Sequence, residues 1–484
     1  MTLPDTRPPL DIDQLVRGLI TEIGADSIVD ADQDLSRYFK DWSGDHAGTG
    51  LVVLRPATVE NVCKAVRFCS QVGVPIVPQG GNSGLVGGAI DAAGGCVILS
   101  LERLNKIRGI DPVNLTAAVD AGCILQTLKA AVAARDCYFP VSLGAEGSAH
   151  IGGIVSTNAG GTNVVKHGMT RANIMGLEVV LPDGRLWSNL LGLRKDNRGP
   201  DLSQIFIGSE GIFGIVTGAC LRLSPAPKTV ETAYVGCASF HDAMQLLTLL
   251  RRQCHEFLSG FEIISNRCLP LARLAKPDLR VPIDAEIPVH VLIELSCAGP
   301  LPLMDILETF LGAALEAGQI VDAAIAQNKA QAGSFWAIRE GLVEGQALNG
   351  YHVRSDVSVR LSAIPELITK LEAMLAQDFP GWTALPYGHA GDGNVHFSAV
   401  PPKSIDPTTQ RSIGKTIETA IFRVVAGLDG SFSAEHGIGR SKRDRLAATA
   451  DPVQLDLLAR LKSAIDPTGV MNPGCLIAPK EPAR

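Results

Sequence analysis

Between residues 386 and 442 the chain carries two short runs whose side chains could do chemistry. The first, Pro386-Tyr-Gly-His-Ala-Gly-Asp-Gly-Asn-Val-His396, sets His389 and His396 around a Gly-Asp-Gly turn beside a predicted strand over 395–400. Such a turn can fold one imidazole back toward the other. The second, Ser433-Ala-Glu-His-Gly-Ile-Gly-Arg-Ser-Lys442, offers Glu435 and His436 side by side before glycines that free the backbone. Two imidazoles, a carboxylate and an open position make the donor set of a catalytic divalent ion, Zn2+ in the first place, with Mn2+ or Fe2+ as alternatives. The spacing fits hydrogen-bonded loop histidines as well, and the residue types alone leave both readings open. Arg339 lies in Phe335-Trp-Ala-Ile-Arg-Glu340, which opens a predicted helical stretch. Its planar fork matches a carboxylate through two parallel bonds, although an Arg–Glu pair on a helix surface is the simpler use.

These residues need a scaffold, and the composition says of what kind. At roughly 100–200 residues per domain, 484 residues imply two to four domains with ample buried core. With 46% apolar and 19% charged residues the chain is globular rather than disordered. A net charge of −7 gives no footprint for phosphate backbones or anionic lipid, which argues against nucleic acid as a partner. The N-terminus lacks a basic start followed by an apolar core, and every long apolar stretch is interrupted, so an unexported, cytoplasmic chain with no membrane span is expected. Eleven cysteines stand singly, with no Cys-x-x-Cys pair. That disfavours zinc ribbons and cysteine-ligated iron–sulfur clusters and reads as reduced thiols used as small apolar residues. Redox chemistry would then need a bound cofactor.

The texture of the chain changes near residue 225. Before it, glycine-rich loops alternate with predicted strands over 51–54, 75–77, 96–100 and 177–181 and with helices over 58–69, where Thr58 is the expected N-cap, and 125–134. After Pro225-Ala-Pro227 the pattern predicts a strand over 229–237, a helix over 241–254, a strand over 289–296, a helix over 304–317 and a strand over 351–359. Helices dominate beyond 404, ending in the turn Asp466-Pro-Thr-Gly-Val-Met-Asn-Pro-Gly474. The fold class is therefore α+β.

Three glycine-rich segments precede the boundary. Pro78-Gln-Gly-Gly-Asn-Ser-Gly-Leu-Val-Gly-Gly-Ala89 follows a predicted strand and holds five glycines between Gly80 and Gly88. A loop of this kind can turn successive N–H groups toward a pyrophosphate, or be a tight structural loop. Gly144 to Gly161 and Ile207 to Thr217 are of the same character, and three such segments suggest an extended dinucleotide. None has the strand–Gly-x-Gly-x-x-Gly–helix context of a Rossmann site.

From about Leu51 to Gly474 these motifs resemble flavoproteins of the vanillyl-alcohol oxidase / p-cresol methylhydroxylase type, in the branch of D-2-hydroxy acid dehydrogenases that includes D-2-hydroxyglutarate and D-lactate dehydrogenases. The resemblance implies an FAD-binding domain of the p-cresol methylhydroxylase type over 1–225. It implies a substrate-binding α+β domain over 226–430 and a helical segment over 431–484 that completes the active site. It assigns Pro78, Gly80, Gly81, Asn82, Ser83 and Gly84 to the FAD pyrophosphate. Gly144, Ser148, Gly152, Gly153, Ser156 and Asn158 would line the adenine and flavin halves, and Gly208, Glu210, Gly211, Gly214 and Ile215 would close over the adenosine. Asn472 resembles a residue that returns to the flavin, although a turn former is the equally simple reading. Some members attach flavin through a histidine in the first loop; this chain has Asn82-Ser83 there, so non-covalent FAD is expected.

The same resemblance makes His389, His396 and Glu435 metal ligands, His436 the general base and Arg339 the grip on the substrate carboxylate. Arg354 occupies the usual place of a lysine in the hydroxyglutarate enzymes, Val343 that of a threonine and Ser398 that of an asparagine. The reaction implied is oxidation of a D-2-hydroxy acid to the 2-oxo acid with hydride transfer to FAD. An electron-transfer flavoprotein or a quinone would be the external acceptor, and a homodimer is compatible. Arg354 points to a second substrate carboxylate, as in 2-hydroxyglutarate, and Val343 to a lactate-like monocarboxylate. The rival from another class is a flavin-binding subunit of a larger oxidoreductase complex.

Overall fold

The computed structural model describes residues 11–30, 32–42 and 44–478, and the chain forms two compact units. Residues 1–159, 169–225 and 436–484 make the first and 160–168 with 226–435 the second. The break at 225/226 coincides with the change of texture. The last helices do not stand apart: the chain from His436 onward belongs to the first unit.

In the first unit a parallel sheet of three strands runs in the order Val52–Leu54, Val97–Ser100, Ile76–Gln79. A second, antiparallel sheet runs in the order Ile107–Asp111, Thr116–Asp120, Ile215–Arg222, Ile174–Val180, Leu186–Ser188. The predicted helix at 58–69 is Val59–Val72, and the Thr58 side chain caps it by accepting from Asn61 N at 3.2 Å. The C-terminal turn returns to the edge of the parallel sheet, where Ile76 N donates to Val470 O and Asn472 N to Ile76 O.

The second unit is built on one antiparallel sheet of seven strands: β1 Thr229–Cys237, β2 Leu258–Ser265, β3 Val289–Cys297, β4 Asp322–Ile325, β5 Val353–Ser358, β6 Thr383–Gly388 and β7 Asn394–Val400. Their order is β4-β1-β3-β2-β6-β7-β5. The period of two decides what each face carries. Val289, Val291, Ile293 and Leu295 of β3, Phe261 and Ile263 of β2, and Val395, Phe397 and Ala399 of β7 enter one large core. That core also takes residues of the helices Phe240–Cys254, Leu303–Glu316, Ile364–Asp378 and Pro407–Ala426. The alternate residues face the other way: Glu262, His290, Glu294, His396 and Ser398. Helices Leu269–Ala275 and Lys329–Asn349 supply part of the smaller core on that side. The latter begins six residues before Phe335, because Asn328 caps it by accepting from Gln331 N at 3.0 Å. All eleven cysteines are free, and all but Cys63 and Cys297 are buried.

Candidate active site

The metal-type cluster is assembled by one turn and one edge. Strand β6 ends at Gly388 and β7 begins at Asn394, so His389 opens the connecting turn and His396 lies one pleat into β7. His389 O accepts from Asp392 N and Asn394 N, which closes the turn and brings the two imidazoles edge to face, centroids 5.3 Å apart. At Gly391 a Cβ would come within 2.9 Å of Val165 and 3.2 Å of Phe261, so the turn packs too closely for a side chain. Glu435 arrives along β5: Ser358 and Ser431 exchange backbone hydrogen bonds, and Glu435 N donates to Asp356 Oδ2 at 2.9 Å. Glu435 Oε1 then lies 3.5 Å from His389 Nε2 and Oε2 lies 3.9 Å from His396 Nε2. Ligand atoms of the three side chains lie within 4.8 Å of one another, a separation and donor set that can hold a divalent ion.

Arg339 reaches the same place from the Lys329–Asn349 helix. Its Nε donates to Glu262 Oε2 at 2.8 Å, a terminal nitrogen lies 3.4 Å from His389 Nε2, and the guanidinium sits 4.8 Å over the Tyr387 ring. Glu262, fully buried in β2, pairs through Oε1 with His389 Nδ1 at 2.7 Å. Burial alone would push the Glu262 carboxyl up; His389 and Arg339 outweigh it and hold the group well below the usual carboxylate range. Burial likewise presses the His389 imidazole down, and Glu262 overrides it and carries it to about 9.

Ser398 stands opposite Arg354 in the β7–β5 register; Ser398 is buried and accepts from Gln346 Nε2 at 3.1 Å, whereas Arg354 is exposed. Val343 lies one turn beyond Arg339 on the same helix and is half exposed. His436 follows Glu435 directly and opens the returning segment of the first unit.

In the first unit the glycine segments approach one another closely. At Gly81 a Cβ would lie 1.9 Å from Ser148 O, so the first two segments touch backbone to backbone there. Gly84, Gly144 and Gly153 face open space. Pro78 lies within the strand Ile76–Gln79, Gly80 and Ser83 lie in the loop that follows it, and Asn82 is left-handed, its amide donating to Arg37 O and Lys40 O. The second segment is not all loop: Ile151–Thr157 is helical, with Gly152 against Ala121, and Ser156 O accepts from Glu210 N. Asn158 is left-handed and accepts from Arg171 N. Besides Asn82 and Asn158, other assigned side chains are occupied by the protein itself. The Glu210 carboxylate accepts from Ile438 N and Gly439 N, Asn472 bonds Gly88 O, Glu210 O and Arg440, and Ile215 packs into the core. Their tie to a cofactor would run through the loops they fix, Gly211 among them.

Sequence reading passed over Glu262, Asp356, Tyr387 and Gln346. A signal existed for Glu262: it is the single charge inside Leu258-Ser-Gly-Phe-Glu-Ile-Ile-Ser265, a strand buried throughout.

Residues 50–188 match the family described as FAD binding domain, and residues 226–476 match that of FAD linked oxidases, C-terminal domain. The chain is 37% identical over 433 residues to "D-2-hydroxyglutarate dehydrogenase, mitochondrial" of Bos taurus, covering 90% of this chain and 78% of that protein. It is 34% identical over 446 residues to "D-2-hydroxyglutarate dehydrogenase" of Xanthomonas citri pv. viticola, covering 92% of each. A third relative, 31% identical over 450 residues, is a D-2-hydroxyglutarate–pyruvate transhydrogenase of Saccharomyces cerevisiae, with 92% of this chain and 90% of that one covered. Among solved structures, p-cresol methylhydroxylase matches with TM-score 0.74 at 18% identity, and 4-ethylphenol oxidase from Gulosibacter chungangensis with 0.75 at 20%, each over 99% of both chains. These likenesses fix the fold. The chain is an FAD-dependent oxidoreductase and belongs to the FAD-linked oxidases, in the D-2-hydroxy acid dehydrogenase family, with the fold of p-cresol methylhydroxylase.

Proposed function

We propose that this chain oxidises a D-2-hydroxy acid of the 2-hydroxyglutarate class to its 2-oxo acid, with a metal ion and His436 in the chemistry. The observation that carries the reading is the convergence of Arg339, His389 and Glu435 at 3.4–3.5 Å around one imidazole nitrogen. When bound, non-covalent FAD takes up the hydride, and a divalent ion, Zn2+ before Mn2+ or Fe2+, supplies Lewis acidity toward the substrate oxygens. His389, His396 and Glu435 would hold the ion. Arg339 offers terminal N–H groups to the C1 carboxylate, because its Nε is already engaged by Glu262. His436 takes the hydroxyl proton on a ring nitrogen, the general-base task that an imidazole lone pair can perform. Arg354 and Ser398, facing each other across two strands, would meet a distal carboxylate, and Val343, on the Lys329–Asn349 helix, would bear on the choice of substrate.

The relatives' names support 2-hydroxyglutarate as the first substrate to try. Val343 favours a second reading, a D-lactate-type monocarboxylate, since an apolar side chain there offers a distal carboxylate no hydrogen bond. An electron-transfer flavoprotein or a quinone would reoxidise the flavin. We place the enzyme in the cytoplasm, without a membrane span, and a homodimer is compatible with the reading; among the described residues no helix is long and apolar enough to cross a membrane.

The test is anaerobic bleaching of the flavin by D- and L-2-hydroxy acids (glutarate, malate, lactate and larger apolar types) before and after a chelator. Bleaching by a D-acid that the chelator abolishes is expected. Bleaching that ignores the chelator would remove the metal from the reading, and a yellow protein inert to every acid would favour a flavin-binding subunit of a larger complex.

A further inference from the structure

One buried carboxylate beside the site has no task in the chemistry above. Glu262 stands in mid-strand between Phe261 and Ile263, both of which enter the opposite core, and is fully buried. Its oxygens are divided, Oε1 accepting from His389 Nδ1 at 2.7 Å and Oε2 from Arg339 Nε at 2.8 Å. A carboxylate this far from water is tolerated only when paired, and both pairings here go to side chains with separate tasks. We propose that Glu262 is a positioning residue that sets His389 for the metal and Arg339 for the substrate carboxylate through the two oxygens of one side chain. The inference rests on the functional reading above.

The reasoning is one of tautomer and reach. An imidazole whose Nδ1–H donates to a carboxylate keeps its Nε2 lone pair for a metal, and Nε2 is the nitrogen that faces Glu435. The other oxygen holds the guanidinium by Nε, which turns the terminal nitrogens toward that same spot, one of them 3.4 Å from His389 Nε2. Metal ligand and carboxylate grip therefore share one anchor, and neither can turn independently.

Glu262→Gln separates this from a merely structural role. An amide has one acceptor and one donor where the carboxylate has two acceptors. If its oxygen stays with Arg339, its NH2 meets His389 Nδ1, which must then accept, and the imidazole proton moves to Nε2 and blocks the metal. In the FAD-loaded protein, metal affinity read by competition with a chromophoric chelator is expected to fall about 10- to 100-fold. KM for the D-hydroxy acid is expected to stay raised at saturating Zn2+. Glu262→Asp keeps the charge and loses one methylene of reach; its metal affinity should lie between the two, and it serves if the Gln variant does not fold. Wild-type metal affinity and KM in either folded variant would overturn the proposal, as would a KM that returns to normal once metal saturates. A wild-type protein that binds no metal would instead overturn the metal reading itself, and the double role with it, before any variant is made.

Discussion

The Tyr387 hydroxyl donates to Gln346 Oε1 at 3.3 Å while its ring supports the Arg339 guanidinium at 4.8 Å. Gln346 passes the chain on, donating to Ser398 Oγ at 3.1 Å. Two side chains, Tyr387 and Gln346, thus join the arginine at one end of the site to Ser398, opposite Arg354, at the other. The two functions of Tyr387 separate by substitution. Tyr387→Phe keeps the ring and is expected to leave KM within about twofold, at a stability loss on the order of 1 kcal/mol from the unpaired Gln346. Tyr387→Leu removes the cation–π support, about 0.5–2 kcal/mol, and should raise KM roughly 2- to 30-fold. Steady-state kinetics with an artificial acceptor decides; equal KM values in the two variants would show that the ring does not hold Arg339.

Arg354 is exposed on β5 opposite the buried Ser398, so its guanidinium is not committed to the core. A charged hydrogen bond to a distal carboxylate contributes about 1.5–3 kcal/mol. Arg354→Leu is accordingly expected to lower kcat/KM for D-2-hydroxyglutarate by about 10- to 100-fold while leaving D-lactate almost unchanged. Parallel losses on both acids would remove Arg354 from substrate selection.

Much of this could be read along the chain, and the division between what could and could not has a physical reason. The strand Thr229–Cys237 and the turn that folds His389 toward His396 follow from local pattern, since period two and Gly-Asp-Gly act within a few residues. Strands Ile215–Arg222 and Leu258–Ser265 were not legible, because their pairing partners lie far off in sequence. The partners of Arg339 were hidden for the same reason: Glu262 is 77 residues away and His389 is 50. A helix at Ile151–Thr157 defies its two glycines; the close approach of Gly152 to Ala121 explains the first, and no close neighbour accounts for Gly153.

Glu294 on β3 gives a pH prediction outside the metal cluster. It accepts from Ser259 Oγ at 2.9 Å and Trp336 Nε1 at 3.0 Å, and burial raises its pKa although both bonds oppose that. With the folded pKa above the unfolded one, the folded state holds the proton more tightly, so stability is lost as pH rises from the unfolded pKa through the folded one. Glu294→Gln can keep both hydrogen bonds without the charge. It should melt higher than the wild type at pH 7, and the gap should close as pH falls toward 4.5, the ordinary value for the group. A gap that widens in acid would reverse the assignment.

Lys462 is a half-buried cation of the first unit. From the helix Pro452–Ile465 its ammonium donates to Asp466 at 2.6 Å, Ile212 O at 2.6 Å and Met471 O at 2.8 Å. Asp466 is buried and also accepts from Val470 N and Met471 N, so the pair ties down the turn that runs beside the strand Ile76–Gln79. Lys462→Met leaves the Asp466 charge buried without its cation, a change that costs about 3–5 kcal/mol. The double variant Lys462→Met/Asp466→Asn removes both charges and keeps an acceptor for the turn, so it should recover a large part of that loss. Denaturant unfolding of the three proteins, each loaded with FAD, measures the difference. If the double variant is no more stable than the single one, the loss comes from the carbonyl contacts of Ile212 and Met471, and the ion pair is not what holds the returning segment.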